Sequence, residues 1–300
     1  MNYIFPVFAV LLWGGNTIIA KLSSDIFSPI EISFYRWVLA AIILTPVSLS
    51  STKKNWSAIK PAIPKLIILS LLGAVLFQWL AYDAARHTTA TNMGVIQSLI
   101  PVMALFLAAV LHRHKITGGS ILGIILSITG VALAVTQGDI HSLISNGINI
   151  GDGIMLIAIF FFVLYNYFVQ KWSLGIPLLQ SVYIQAIVAS LLLFPVFLGS
   201  ARNHVTFDGI LFIFFAGIAA SIFAPLVWMH GISKLGTPRA SLFFNFLPIV
   251  TAIFGAVFLS EAITLYVVIG GGHAIAGVVT AEVFQARNAS RKLASRSEIS

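Results

Sequence analysis

Asn92-Met-Gly-Val-Ile-Gln-Ser-Leu-Ile-Pro101 returns 147 residues later as Arg239-Ala-Ser-Leu-Phe-Phe-Asn-Phe-Leu-Pro248. Few side chains match within the pair beyond the closing proline, but the register holds well past it. Ala109 falls on Ala256, Ile116-Thr117 on Ile263-Thr264, Gly123 on Gly270, and Gly130-Val131 on Gly277-Val278. Upstream, with small slips, Tyr82 lies opposite Trp228, and Asn16…Lys21 opposite Asn166…Lys171. A weak repeat relating two halves of an apolar chain marks secondary transporters, whose substrate sites lie where the repeats meet.

The composition agrees. The chain is 59% hydrophobic and 9% charged with a mean hydropathy of +1.00, against about 25% charged residues in a soluble domain. Ten apolar runs fall at about 3–22, 29–50, 63–84, 88–111, 115–136, 152–171, 177–199, 208–232, 238–259 and 263–285. Each is near the roughly 20 residues that cross about 30 Å of hydrocarbon. The expected fold is an all-α membrane protein of ten transmembrane helices. Residues 1–136 form a first five-helix repeat, 137–151 a connecting loop, 152–285 a second repeat and 286–300 a loose basic tail. Met1-Asn2 offers no basic leader and no cleavage site follows, so the first run is expected to stay as helix 1. The absence of cysteine excludes disulfides and thiolate chemistry.

A net charge of +8 would suggest nucleic acid in a soluble domain; here it is read as basic cytoplasmic loops. With the N-terminus inside, Lys53, Lys54, Lys60, Lys65, Arg113, Lys115, Lys171, Lys234, Arg239, Arg287, Arg291, Lys292 and Arg296 fall on the cytoplasmic side. Lys21, Arg36, Arg86 and Arg202 fall outside, so both termini are expected in the cytoplasm of a cell (inner) membrane protein. Five helices per repeat then require the second half to insert upside down, giving two inverted five-helix repeats.

Pro101 and Pro248 are the most informative matched residues. A proline inside a helix frees the carbonyl four residues earlier, here Gln97 and Phe244. In lipid such a carbonyl must face protein or a cavity. Gly94 and Ser98 share a face with Pro101, as Ser241 and Asn245 do with Pro248. These polar side chains either line a cavity or only join helices. Trp13, Asn16, Gln78, Tyr82, Tyr165, Asn166, Tyr183 and Trp228 add aromatic and amide groups suited to a small amphipathic molecule. With Ser98 and Asn245 they form the candidate substrate-binding set; packing or an interfacial position is the alternative for each. Arg36 lies roughly 10 Å into helix 2 counted from Pro29, and is either a gating residue or a snorkelling one. Glycines at 123, 130, 270 and 277, with Gly272 and Ala276, suggest close helix packing. His230 and His273 are expected in packing, and His112-x-His114 lacks nearby carboxylates for a metal site. No metal or cofactor is implied.

Leu12-Trp13-Gly14-Gly15-Asn16 with Lys21, Pro29…Arg36, and Gly231-x4-Gly236-x3-Ala240-Ser241-x3-Asn245-x2-Pro248 leading to Glu261-Ala262-Ile263 resemble the drug/metabolite transporter superfamily. The resemblance is to its ten-helix EamA-type members, which include YddG-like amino-acid exporters, and covers residues 5–285. It implies export of a small molecule by alternating access, with Glu261 as an outer clamp. The matching acid after helix 4 is replaced here by His114.

The expected function is therefore a secondary transporter exporting small metabolites, amino acids foremost. Drugs or a larger metabolite are the alternative within the superfamily. The expected partners are that substrate and the lipid bilayer, with no nucleic acid and a functional monomer. An intramembrane enzyme would need a nucleophile with its base, paired acids or His-Glu-x-x-His, none of which is present. Glu31, Asp83, Glu261 and Glu282 all lie near helix ends, so no obligatory proton carrier is expected mid-membrane.

Overall fold

Ser28-Pro-Ile-Glu31 shows how locally the helix starts are written. The Ser28 hydroxyl accepts from the Glu31 N–H while the Glu31 carboxylate accepts from the Ser28 N–H at 2.8 Å, a capping box with proline at the first helical position. Thr89, Asn149 and Thr206 cap three further helices, each side chain accepting one backbone N–H of the first turn. The computed structural model describes residues 3–112, 118–139, 149–201, 203–235 and 242–297. His114 and the 236–241 stretch of the motif, with Arg239 and Ser241, lie outside them, as does most of the inter-repeat loop.

The described elements are α1 (Ile4–Ser23), α2 (Pro29–Lys54), α3 (Trp56–His87), α4 (Ala90–Gln97, resumed at Ile100–His112) and α5 (Gly118–Val135). They continue with α6 (Ile150–Trp172), α7 (Leu178–Gly199), α8 (Phe207–Leu235), α9 (a 3-10 turn Leu242–Phe246 running into Leu247–Leu259) and α10 (Leu265–Ser297). Seven are long and apolar enough to cross a membrane, and α5, α9 and α10 carry the shorter apolar helices Ile121–Val135, Phe243–Leu259 and Leu265–Thr280. The protein is an all-helical membrane protein, with no strand among the described residues. One expectation changes. Instead of a loose tail after 285, α10 runs on to Ser297, because Ala, Arg, Lys and Leu are good helix formers and neither Gly nor Pro interrupts 286–297.

Two irregularities recur at corresponding places. α3 and α8 each pass through a π-helical segment, Ser70–Leu76 and Phe215–Phe223. α4 and α9 each break before their proline: α4 turns at Ser98-Leu99, and α9 changes from 3-10 to α geometry at Leu247-Pro248. The freed-carbonyl argument anticipates those breaks, since neither proline can continue the preceding helix.

The most extensive helix contact joins α5 to α10, and it is reciprocal. A Cβ on Gly130 would lie 2.5 Å from the Gly270 carbonyl oxygen; one on Gly270 would meet the Gly130 oxygen, and one on Gly277 the Gly123 oxygen, each also at 2.5 Å. The contact 130–270 becomes 123–277 when each residue is exchanged for its repeat counterpart. Ser127 Oγ donates to the carbonyl of Ala274, its own counterpart, at 3.0 Å. Gly272 and Ala276 stand on the exposed face instead, and a Cβ at Gly272 would meet nothing within 4 Å. Ile121, Leu122, Ile125, Ile128, Val268 and Ile269 are exposed around the pair, as a lipid-facing surface requires.

Glu31 also joins distant parts of the chain. Its carboxylate accepts from the Asn203 N–H at 2.8 Å, fixing the segment after α7 to the start of α2. Glu31→Ala removes this tie and the carboxylate half of the capping box together and is expected to cost about 2–3 kcal/mol. Thermal unfolding of the detergent-solubilised protein reads this as a lower midpoint; an unchanged midpoint contradicts it.

Candidate functional site

Arg36 is 1% exposed and turned into the bundle, so snorkelling is excluded. Its Nε and Nη2 donate to the Ser221 hydroxyl at 3.1 and 2.8 Å. Its Nη1 donates to Gln78 Oε1 at 2.7 Å and to the Tyr82 hydroxyl at 3.1 Å. Tyr82 in turn donates to Asn16 Oδ1 at 3.4 Å, so one polar layer crosses α2, α8, α3 and α1. The π segment of α8 explains why Ser221 reaches the guanidinium. There Ser221 Oγ donates to the carbonyl five residues back, that of Ala216, leaving its lone pairs toward Arg36. Gly217 lets the segment approach, since a Cβ there would lie 2.9 Å from the Arg36 carbonyl oxygen. The α3 π segment does similar work: the Ala74 carbonyl within it accepts from Trp37 Nε1 at 2.7 Å. π segments are frequent at functional sites for this reason.

One turn along α1 from Asn16, Trp13 stacks on Phe244 with ring centroids 5.2 Å apart and lies 5.6 Å from Trp228. Trp228 meets Phe244 edge-on at 4.5 Å. This aromatic group joins α1, α8 and α9, one turn along α1 from the polar layer. Gln97, beside the α4 break, donates from Nε2 to Thr17 at 3.5 Å, adding a third amide to the neighbourhood.

Above the layer, at the end holding the starts of α4 and α6, charged residues from three elements tie down the α3–α4 connection. Lys21 Nζ donates to the carbonyls of Ala85 and Thr88 at 2.8 and 2.9 Å. Asp152 accepts from the Thr88 hydroxyl at 2.6 Å. Glu261 accepts from the N–H groups of Ala90 and Thr91 at 2.7 and 2.9 Å and from the Thr91 hydroxyl at 2.6 Å. A carboxylate on a helix N-terminus gains from both the unpaired N–H groups and the dipole. At the opposite end, Asn55 donates to Gln180 at 3.0 Å, joining α2 to α7.

The profile of the EamA-like transporter family matches residues 1–136 and 149–281. The chain belongs to that family. An uncharacterized transporter of Bacillus subtilis (strain 168), YyaM, is 27% identical over 283 residues, which is 93% of this chain and 92% of that one. An uncharacterized transporter of Archaeoglobus fulgidus is 27% identical over 284 residues, 92% of this chain and 96% of its own. The WAT1-related protein At5g40240 of Arabidopsis thaliana is 23% identical over 95% of this chain and 86% of its own. A protein of known crystal structure superposes with a TM-score of 0.67 at 14% identity, over 95% of this chain and 98% of that one, so the two share a fold. The protein is thus a membrane transporter of the drug/metabolite type.

Not every candidate residue joins the EamA protein's central layer. Asn16, Gln78, Tyr82 and Arg36 form it, and Trp13 and Trp228 pack beside it. Ser98 is buried at the α4 break, donating to the Val95 carbonyl at 2.6 Å. Asn245 lines a cavity of about 610 Å³ with Tyr3, Phe243, Phe246, Ile249, Ile275 and Val279. Tyr3, Phe246 and Ile249 of this lining are exposed, so the cavity is a side groove by α9 and α10. Pro248 is buried and Pro101 half-buried. Three residues stand apart. Tyr165 packs on Gly73 among α3, α6 and α7. Tyr183 accepts from Thr45 at 3.2 Å in the α2–α7 contact. Asn166 is exposed and donates to the Phe162 carbonyl of its own helix at 3.0 Å. The helical period decides Asn166: one residue past Tyr165, it is rotated about 100° from the inward face.

Sequence reading missed Ser221, Phe244, Gln97 as a side chain, and Asp152. Phe244 carried a signal, being the residue whose carbonyl Pro248 frees. Ser221 carried none, because α-helical spacing does not foresee a π segment. Among the described residues no group of three His, Asp or Glu converges as a metal site.

Proposed function

We propose that this EamA-family protein is a secondary transporter that exports small amphipathic metabolites, amino acids foremost, across the cell membrane by alternating access. The observation that carries the reading is the layer Arg36–Gln78–Tyr82–Asn16 beside the Trp13/Trp228/Phe244 rings. Buried donors and acceptors next to aromatic faces suit a ligand with one polar and one apolar part. The two halves are read as inverted five-helix repeats, with boundaries 1–136 and 152–285. The reciprocal α5–α10 contact supports this, because a self-complementary patch is what a two-fold axis generates. The recurring π segments and proline breaks support it as well. Both termini are read as cytoplasmic from the distribution of Lys and Arg, which puts the Glu261 latch outside and makes this the outward-closed state. The monomer is the working unit, since one chain holds both repeats.

The driving force is the substrate gradient itself. Asp152 and Glu261 sit at helix ends and are engaged in the latch, and Glu31 in its cap. Counterflow of labelled amino acids into proteoliposomes tests the reading. Uptake is expected with preloaded substrate and no pH gradient. Uptake seen only under an imposed proton gradient contradicts the coupling, and no uptake of any amino acid contradicts the substrate.

A further inference from the structure

The Arg36 guanidinium is a buried cation with no carboxylate hydrogen-bonded to it among the described residues. Four of its N–H groups donate, all to neutral oxygens: the Ser221 hydroxyl twice, Gln78 Oε1 and the Tyr82 hydroxyl. Among the described residues no carboxylate acts on it; Tyr82 is the ionisable group that faces it. The buried acids are committed elsewhere, Glu31 to Ser28 and Asn203, Asp152 to Thr88. A buried ion without a counter-ion costs several kcal/mol, and intramembrane charges in transporters mark substrate pathways. The two edges of the guanidinium differ. Ser221 holds the Nε–Nη2 edge against α8. The Nη1 edge is turned to Gln78, which is half-buried, and through Tyr82 to Asn16, also half-buried, one turn from the rings of Trp13 and its neighbours.

We propose that the carboxylate of the transported molecule displaces Gln78 Oε1 as the acceptor on the Nη1 edge of Arg36, beside the Tyr82 hydroxyl, and that its apolar body lies on Trp13, Trp228 and Phe244. The substrate class is then small carboxylates with an apolar or aromatic body. Guanidinium–carboxylate pairing supplies both the missing charge and a directional contact. This inference rests on reading the layer as the transport site and specifies which end of the ligand it grips.

Three probes separate the chemistry: 3-phenylpropionate, a carboxylate without an amine; L-phenylalanine, which has both; and 2-phenylethylamine, an amine without a carboxylate. Binding to the purified full-length protein is read by quenching of tryptophan emission. At least one carboxylate is expected to bind and the amine to fail, and comparison of the two carboxylates tells an acid from an amino-acid site. Gln78→Glu is the decisive variant. It places an internal carboxylate at the 2.7 Å Arg36 contact without changing volume. It is expected to keep the thermal midpoint while weakening carboxylate binding by at least about tenfold. Arg36→Lys, which keeps the charge and loses the fork, should retain part of the binding. Wild-type protein that binds none of the three, binds the amine as well as the carboxylates, or is unaffected by Gln78→Glu overturns the proposal. Flux of the same probes in proteoliposomes is read separately. Carboxylate binding without flux sinks the transport reading and leaves only the Arg36–carboxylate contact standing, whereas flux of the amine alone keeps the transport reading and overturns the carboxylate contact.

Discussion

Gly277→Leu is expected to leave no folded protein to purify. A Cβ at Gly277 would lie 2.5 Å from both the Gly123 carbonyl oxygen and the Ser127 backbone nitrogen. Backbone atoms cannot rotate away as a side chain can, so α5 and α10 would have to separate along their length. In lipid this contact has no hydrophobic effect behind it and depends on close packing. Losing it, with the Ser127–Ala274 hydrogen bond, should cost well over about 3 kcal/mol. The control lies on the same helix: Gly272→Leu adds the same side chain where nothing stands within 4 Å and should behave as wild type. Size-exclusion profiles of the two variants check this. Equal profiles would mean that the α5–α10 contact does not hold the fold together.

Glu261→Gln is expected to open the latched end. The carboxylate takes three hydrogen bonds from Ala90 and Thr91, and a carboxamide has one oxygen and no charge with which to replace them. Hydrogen bonds to a charged acceptor are worth about 1.5–3 kcal/mol each. Losing even one shifts a two-state equilibrium by about tenfold or more toward the state open at that end. The chain has no cysteine, so a single cysteine at Ser98, buried below the latch, can report on it. Modification by a membrane-impermeant maleimide from the latched side should run at least about tenfold faster with Glu261→Gln. An equal rate would remove Glu261 from the gate.

Much of this architecture could be read from the chain because lipid imposes few solutions. Runs of about 20 apolar residues have to be helices, and the ten expected runs lie within the ten described helices to within a few residues at most ends. Pro101 and Pro248 announced the breaks in α4 and α9 by elementary backbone chemistry. The site was legible only in part. Arg36, Gln78 and Tyr82 were visible as polar groups in apolar surroundings, and the spacing of four puts Gln78 and Tyr82 on one face, but nothing in the sequence said that they meet Arg36. Ser221 looks like any small residue in α8 until the π segment turns it toward Arg36. Tyr165 and Tyr183 have the composition of site residues and the positions of packing residues, a difference that lies in the helix neighbours. Asp152 opens the sixth apolar run, and its role at Thr88 depends on where α3 ends.

In an alternating-access carrier the Asn16–Tyr82–Arg36 layer is reached in turn from each side of the membrane. The direct test is side-specific modification of a single cysteine at Asn16 in proteoliposomes of known orientation, using a small membrane-impermeant thiol reagent. Reaction is expected from either side, slowed from both by a saturating substrate identified in counterflow. Reaction from one side alone, unchanged when Glu261 is replaced by glutamine, would contradict it.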